Sequence, residues 1–290
     1  MLIQQLINGL TIGSVYALVA LGYTLAYGIL GLINFAHGEV YMMGAFLSFA
    51  LITFFKVNVF VAFIAAIVLC GLLGILIEFV AFRSIRNGAR SSQLISAIGM
   101  SILLQNIAML IWGSNTKPFA PVTEEHVIKL NQITISTMQI EIIITSFILM
   151  SLLYFLIYKT RIGIAMRATA QDSSMTSLMG INVNKIVSIT FSIGSMLGGA
   201  AGILVALYYN SIVFNMGYTA GLKAFVAAVL GGIGNIPGTM IGGIILGLTE
   251  SMGAVIISAK YKDAFAFIIL ILVLLFRPTG LFGKKEVEKV

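Results

Sequence analysis

The sequence predicts an all-α, polytopic transmembrane helical bundle of about eight membrane elements. Three observations carry this. Hydrophobic residues make up 59% of the 290 positions and charged residues only 9%, where soluble domains carry about 25% charged residues. Several uncharged runs have about the 20 residues that a helix needs to cross a ~30 Å hydrocarbon core. Basic residues cluster in short loops between those runs, as the positive-inside pattern requires. The alternating ten-residue segments of a membrane β-barrel are absent. The net charge of +7 is therefore explained by loop bases and not by nucleic-acid binding.

The first span covers about residues 5–30. It has no basic segment ahead of it, so it reads as a retained helix rather than a signal peptide. Gly9, Gly13 and Ala17 recur every four residues, a small-residue face for close helix contact. The stretch Gly31–Phe46 (GLINFAHGEVYMMGAF) follows. Its polar Asn34, His37 and Glu39 and its glycines Gly31 and Gly38 predict a broken segment near 31–38. Span two covers about 39–55, and span three about 59–82. Cys70 lies in an apolar run and reads as a small core residue. Glu78 either pairs with an arginine of the following loop or snorkels from the helix end.

The loop RSIRNGAR holds Arg83, Arg86 and Arg90 without an acid, which marks it as cytoplasmic. Span four (about 92–112) carries Gln105 and Asn106, read as contacts to a neighbouring helix or to a substrate. Residues 113–138 form a long mixed-charge loop with His126, placed outside by parity, and QITISTMQI within it alternates as a short strand does. Span five is about 139–158.

Residues 159–185 form a second basic, cytoplasmic loop. Within it Asp172 is a good N-cap and Gly180 a good helix stop. They frame a two-turn helix that presents Met175, Leu178 and Met179. That apolar face calls for a protein partner or an interface. Span six (about 186–208) carries Gly194, Gly198 and Gly202 at four-residue spacing. Lys223 and Glu250 are the only charges in 217–257, each read as a snorkelling group or a functional one. GGIGNIPG, with Gly231, Gly232, Gly234, Asn235 and Pro237, predicts a second broken or re-entrant element near 231–238. The last run, 264–276, spans only with its flanks at the interfaces. This arrangement places the N-terminus outside and the C-terminus in the cytoplasm.

No chemistry of an enzyme is legible. His37 and Glu39 do not share a helix face. No second His/Cys cluster offers a metal site. G-x-S-x-G and the phosphate-binding loop G-x-x-x-x-G-K-[ST] are both missing. No cofactor is expected in this chain. Interrupted segments in both halves instead point to a transport path, with Asn34, His37, Glu39, Gln105, Asn106, Lys223, Asn235 and Glu250 as its candidate lining.

INFAHGEVYMMGA (33–45), LISAIGMSILLQN (94–106), RATAQD with LMGIN (167–182) and KAFVAAVLGGIGNIPGTMIGG (223–243) are similar to the permease subunits of bacterial branched-chain amino acid ABC importers, the LivH type. The resemblance covers essentially the whole chain. It implies a single permease domain in the cytoplasmic membrane. It also implies a second, homologous permease, two cytoplasmic ATPase subunits and a periplasmic amino-acid-binding protein. Under it, Arg167–Ile181 corresponds to the loop that docks into an ATPase, with Arg167, Ala168, Ala170, Asp172, Met175, Leu178, Met179, Gly180 and Ile181 as coupling residues. The usual Glu-Ala-Ala of such loops is here Arg167-Ala168-Thr169-Ala170. The implied substrate is leucine, isoleucine or valine; the alternatives are another small polar solute such as urea or a short amide, or a passive channel.

Overall fold

The computed structural model describes residues 2–31, 33–86, 88–119, 127–130, 133–256, 258 and 261–283. Among the described residues there are eleven α-helices: α1 (Leu2–Leu30), α2 (His37–Thr53), α3 (Val59–Ile77), α4 (Arg90–Trp112), α5 (Thr137–Lys159), α6 (Arg161–Gln171), α7 (Ser173–Leu178), α8 (Val183–Tyr209), α9 (Met216–Gly231), α10 (Ile236–Ile256) and α11 (Lys262–Phe276). Of these, α1, α3 with its extension, α4, α5, α8 and α10 are long and apolar enough to cross a membrane. α2, α9 and α11 are shorter, at 17, 16 and 15 residues. At 1.5 Å per residue they reach only about 25 Å.

α1 is the axis of the bundle. It is buried without interruption from Gly13 to Ala26, as a helix apolar all round must be, and α5, α8, α9 and α10 pack around it. The predicted small face works as expected. Gly9 and Gly13 lie against Leu248 and Ile244 of α10, and Gly243 lies against Ala17. A Cβ on Gly247 would occupy the backbone of Gly13. A buried Thr24–Thr239 hydroxyl pair at 2.7 Å ties the same two helices. The glycines of α8 do equivalent work: Gly194 meets Gly22, Gly198 meets the His37 ring, and Gly202 meets the Tyr41 carbonyl. Cys70 is fully buried against Gly199.

Span three is not one regular helix. A π turn, Glu78–Phe82, follows α3, and the Arg83 amide donates to the Glu78 carbonyl at 2.8 Å. This i,i+5 geometry sets the Arg83 side chain over Glu78, with Nε and Nη2 at 3.2 and 2.6 Å from its two carboxylate oxygens. Of the two readings of Glu78, pairing is therefore the observed one, and the Ser188 hydroxyl of α8 joins it at 2.8 Å. The side-chain bond to Glu78 holds the Arg83 guanidinium above its ordinary pKa.

Both predicted breaks are present, but neither is an interruption within one helix. α1 ends at Gly31 (φ +66°), and Asn34 Oδ1 accepts the Ala36 amide in an Asx turn before α2 begins. Gly232 (φ +100°) and Gly234 (φ +89°) separate α9 from α10. The second element is a pair of helices, α9 and α10, broken between them as expected, and Pro237 lies in the first turn of α10, where no amide donor is needed. Asn235 Oδ1 accepts the Gly238 amide at 3.0 Å, while its Nδ2 donates to the Phe282 carbonyl. The carboxy-terminal strand of described chain is also held there, its Leu281 and Phe282 amides donating to Leu230 and Gly231.

Loops at the end opposite the arginines are cross-linked. β1 (Lys117–Pro118) pairs antiparallel with β4 (Ser211–Ile212), and β2 (Val127–Leu130) with β3 (Ile133–Ser136). The expected strand in QITISTMQI is thus shorter, because Ser136 and Gln139 form a capping box that starts α5. His126 lies outside the described residues.

The glycine contacts make a direct prediction. Gly247→Leu forces α1 and α10 apart and costs about 2 kcal/mol or more, the scale of overpacking a filled core. Gly99→Ala meets nothing within 4 Å on an exposed face and leaves stability unchanged or up to about 1 kcal/mol higher. Thermal unfolding of the detergent-solubilised variants, with membrane yield, separates the two.

Candidate functional site

α2 and α9 both begin inside the bundle, and their first turns cross. Gly38 packs against Gly217 and Gly221 with no room for a Cβ on any of the three. Neither helix has a side-chain N-cap, so their first-turn amides and partial positive charges meet. Glu39 occupies this junction. It is 1% exposed, and its carboxylate lies against Gly217. The Ser101 hydroxyl donates to Oε1 at 3.3 Å. Oε2 has no hydrogen-bond partner among the described residues.

Glu39 lines a cavity of about 420 Å³ between α2, α4 and α9, with Tyr23, Phe35, Ser101, Gln105 and Phe225 among its walls. Among the described residues, none that line it is cationic. Its rim at Ile98, Ile102 and Tyr218 is exposed.

A second cavity, about 310 Å³, lies between α1, α8, α9 and α11. Lys223 and four tyrosines (Tyr16, Tyr41, Tyr208, Tyr209) line it. Lys223 is neither snorkelling nor unpaired. Its Nζ stands 2.7 Å from Glu250 Oε1 and 2.6 Å from Asp263 Oδ1. Lys262 completes the set at 3.3 Å from the same Glu250 oxygen. Two cations and two carboxylates cancel, which is how the buried Lys223 and Glu250 are tolerated, with Lys262 and the exposed Asp263 closing the set from the surface. Glu250, 1% exposed, likewise does not snorkel. Lys262 and Asp263 had no signal in the sequence beyond ending a short apolar run, because the partners lie on three different helices.

The remaining candidates separate. His37 is 2% exposed; it lies edge-on to Tyr23 at 5.0 Å and fills the gap left by Gly22 and Gly198. Asn34 serves its Asx turn and Asn235 the α9–α10 turn. None of these three lines either cavity. Gln105 does line the Glu39 cavity, whereas Asn106, on an exposed face, donates to the Ile102 carbonyl of its own helix.

A third candidate surface lies at the arginine-rich end. Asp172 Oδ1 accepts the Met175 amide at 2.9 Å, and Gly180 (φ +82°) ends α7 with the Ile181 amide returning to the Thr176 carbonyl. Met175, Leu178 and Met179 are 62, 81 and 82% exposed. The 11-residue helix ahead of it, α6, was not anticipated. Its signals are Thr160, which caps Gly163, and the buried Gly163, Met166 and Thr169 at three-residue spacing. Arg167 stacks on Tyr158. A small cavity of about 90 Å³ separates Met166, Arg167 and Ala170 from Thr24, Gly28, Gly234 and Ile236. Both helix breaks therefore lie next to α6.

Removing one member of the buried charge set leaves the others unbalanced. Glu250→Gln is expected to cost about 3 kcal/mol, and Lys223→Met with Glu250→Gln costs less than the single change because Lys262 and Asp263 then balance. Denaturation of the purified chain in detergent measures both.

Residues 5–274 match the family model of the branched-chain amino acid transport system permease component. The chain is 48% identical to the high-affinity branched-chain amino acid transport system permease protein BraD of Pseudomonas aeruginosa, covering 99% of this chain and 98% of that one. It is 46% identical to the corresponding LivH of Escherichia coli strain K12, covering 99% and 97%. Among solved structures, PsaBC from Streptococcus pneumoniae in complex with Fab overlays with a TM-score of 0.49 at 15% identity, over 95% of this chain and 92% of that one. With the fold, the helix breaks and a full-length match in agreement, this chain belongs to the permease component family of the branched-chain amino acid transport systems.

Proposed function

We propose that the chain, as one permease domain over residues 1–290, is a membrane-spanning subunit of an ATP-driven importer of leucine, isoleucine and valine. It sits in the bacterial cytoplasmic membrane with the N-terminus outside and the arginine-rich end and C-terminus in the cytoplasm. It works with a homologous permease, two cytoplasmic ATPase subunits and a periplasmic binding protein. ATP hydrolysis belongs to the ATPase subunits.

The observation that carries this reading is α7. Its apolar side chains project from a rigid, capped turn at the basic end, where no neighbouring helix covers them. A passive channel has no use for such a knob. An ATPase cleft closing on Met175, Leu178 and Met179 would push on α6, with Arg167, Ala168 and Ala170 on it. α6 stands across a small cavity from Gly28 and Gly234, the places where α1 and α9 give way to their partners. Motion of α6 therefore reaches the two points of the bundle with the least regular backbone. The half-helix α2 follows the first of these points and α9 ends at the second; the Glu39 cavity lies between them, and the Lys223 cavity borders α9.

Uptake of labelled leucine into proteoliposomes holding the complete transporter tests this. Isoleucine and valine are expected to compete. Leu178→Glu with Met179→Glu is expected to reduce ATP-driven uptake by about tenfold or more while membrane yield stays normal, because these side chains are exposed. Full uptake by that variant overturns the coupling role; failure of isoleucine and valine to compete overturns the substrate.

A further inference from the structure

We propose that the Glu39 cavity binds the ammonium end of an aliphatic amine or amino acid, so that this subunit has a ligand site of its own. The inference rests on the permease reading and deepens it.

Three features of the cavity point to such a ligand. Its one charged wall residue is a carboxylate, and one oxygen of that carboxylate has no donor among the described residues. The converging first turns of α2 and α9 favour a negative charge at this point, but they do not supply a hydrogen bond to Oε2. A buried carboxylate left with an unfilled acceptor is costly, and an ammonium group brings three donors and the missing positive charge. Glu250 also leaves one carboxylate oxygen without a donor among the described residues, but its other oxygen is paired with Lys223 and Lys262, whereas no cation among the described residues lines the Glu39 cavity.

The other walls fit the rest of the molecule. Phe35, Phe225, Ile98 and Leu222 offer apolar contact for an aliphatic chain, and the aromatic faces also favour a nearby cation. Ser101 and Gln105 supply hydroxyl and amide groups. A volume of about 420 Å³ is at the small end of ligand pockets. Gly217 and Gly221 keep the site open: a Cβ on Gly217 would meet Glu39 Oε2 at 2.5 Å, and one on Gly221 would meet the Tyr23 hydroxyl at 3.0 Å. The exposed rim between α4 and α9 gives access.

The test uses the assembled permease–ATPase complex in lipid nanodiscs without a binding protein. Gln105→Cys reports on the cavity through its rate of modification by a small methanethiosulfonate. The native Cys70 is fully buried, and the parent chain supplies its background. The probes are isoamylamine, which is leucine without its carboxylate, and isocaproate, which is leucine without its ammonium. Isoamylamine is expected to slow modification and isocaproate to leave it unchanged. Glu39→Gln in the same chain is expected to raise the amine concentration needed for protection by about tenfold or more, the loss of a charge-assisted bond. Equal protection by the two probes, or an unchanged requirement in Glu39→Gln, overturns the site. If Glu39→Gln fails to reach the membrane, the contrast between the two probes decides alone. Leucine uptake by the parent transporter, measured in parallel, separates this inference from the reading beneath it: uptake without amine protection overturns the site only, and amine protection without uptake overturns the import of leucine.

Discussion

Backbone-to-backbone contact through glycine is the constraint on which this bundle depends. In lipid, burying an apolar side chain against another gains little over burying it against acyl chains, so helices must gain from close approach. α1 does this twice. Gly9, Gly13 and Ala17 bring it against α10, and Gly22 brings it against Gly194 of α8 and makes the space that the His37 ring fills. With α1 fixed along its length, α2 and α9 need not cross the whole membrane to be held. Their short lengths are acceptable because their first turns end on protein rather than in lipid.

That arrangement places irregular backbone where it is tolerated. The turns at 33–36 and 232–235 leave amides and carbonyls outside any helix, and such groups are costly facing hydrocarbon. Asn34 and Asn235 each satisfy part of the demand through side-chain acceptors, and the Leu281 and Phe282 amides cover carbonyls at the end of α9. These asparagines, candidate path lining in the sequence, are thereby placed as parts of the turns. Their polarity serves the backbone.

How legible the protein was depended on whether a signal was local. The small-residue faces, the Asp172–Gly180 cap and stop, and the positions of both breaks follow from spacing within one segment, and each is present. The π turn was not legible, because Glu78 and Arg83 look the same at a helix end whether the turn has four or five residues. Nor was the pairing of Lys223 with Glu250 and Asp263, and of Lys262 with Glu250: the lone charges of α9 and α10 say that a partner is needed but not which helix supplies it. His37 reads in the sequence as a candidate helix-end or path residue; its ring fills the space left by Gly22 and Gly198, where three helices meet.

The distribution of charge then separates architecture from candidate function. At one end Arg83 balances Glu78, and deeper in, Lys223 and Lys262 balance Glu250 and Asp263. Such sets hold helices together without needing anything from outside. Glu39 differs in kind. It has hydroxyl support from Ser101, the favourable ends of two helices, and no cation within its cavity. Two half-helices stop where it sits, and the glycines around it are glycines because its carboxylate and the facing backbone occupy the space. A chain that neutralises its other buried charges internally, yet leaves this one open at the crossing of its two interrupted elements, concentrates its unmet electrostatic demand on the one place where a mobile cationic group can satisfy it.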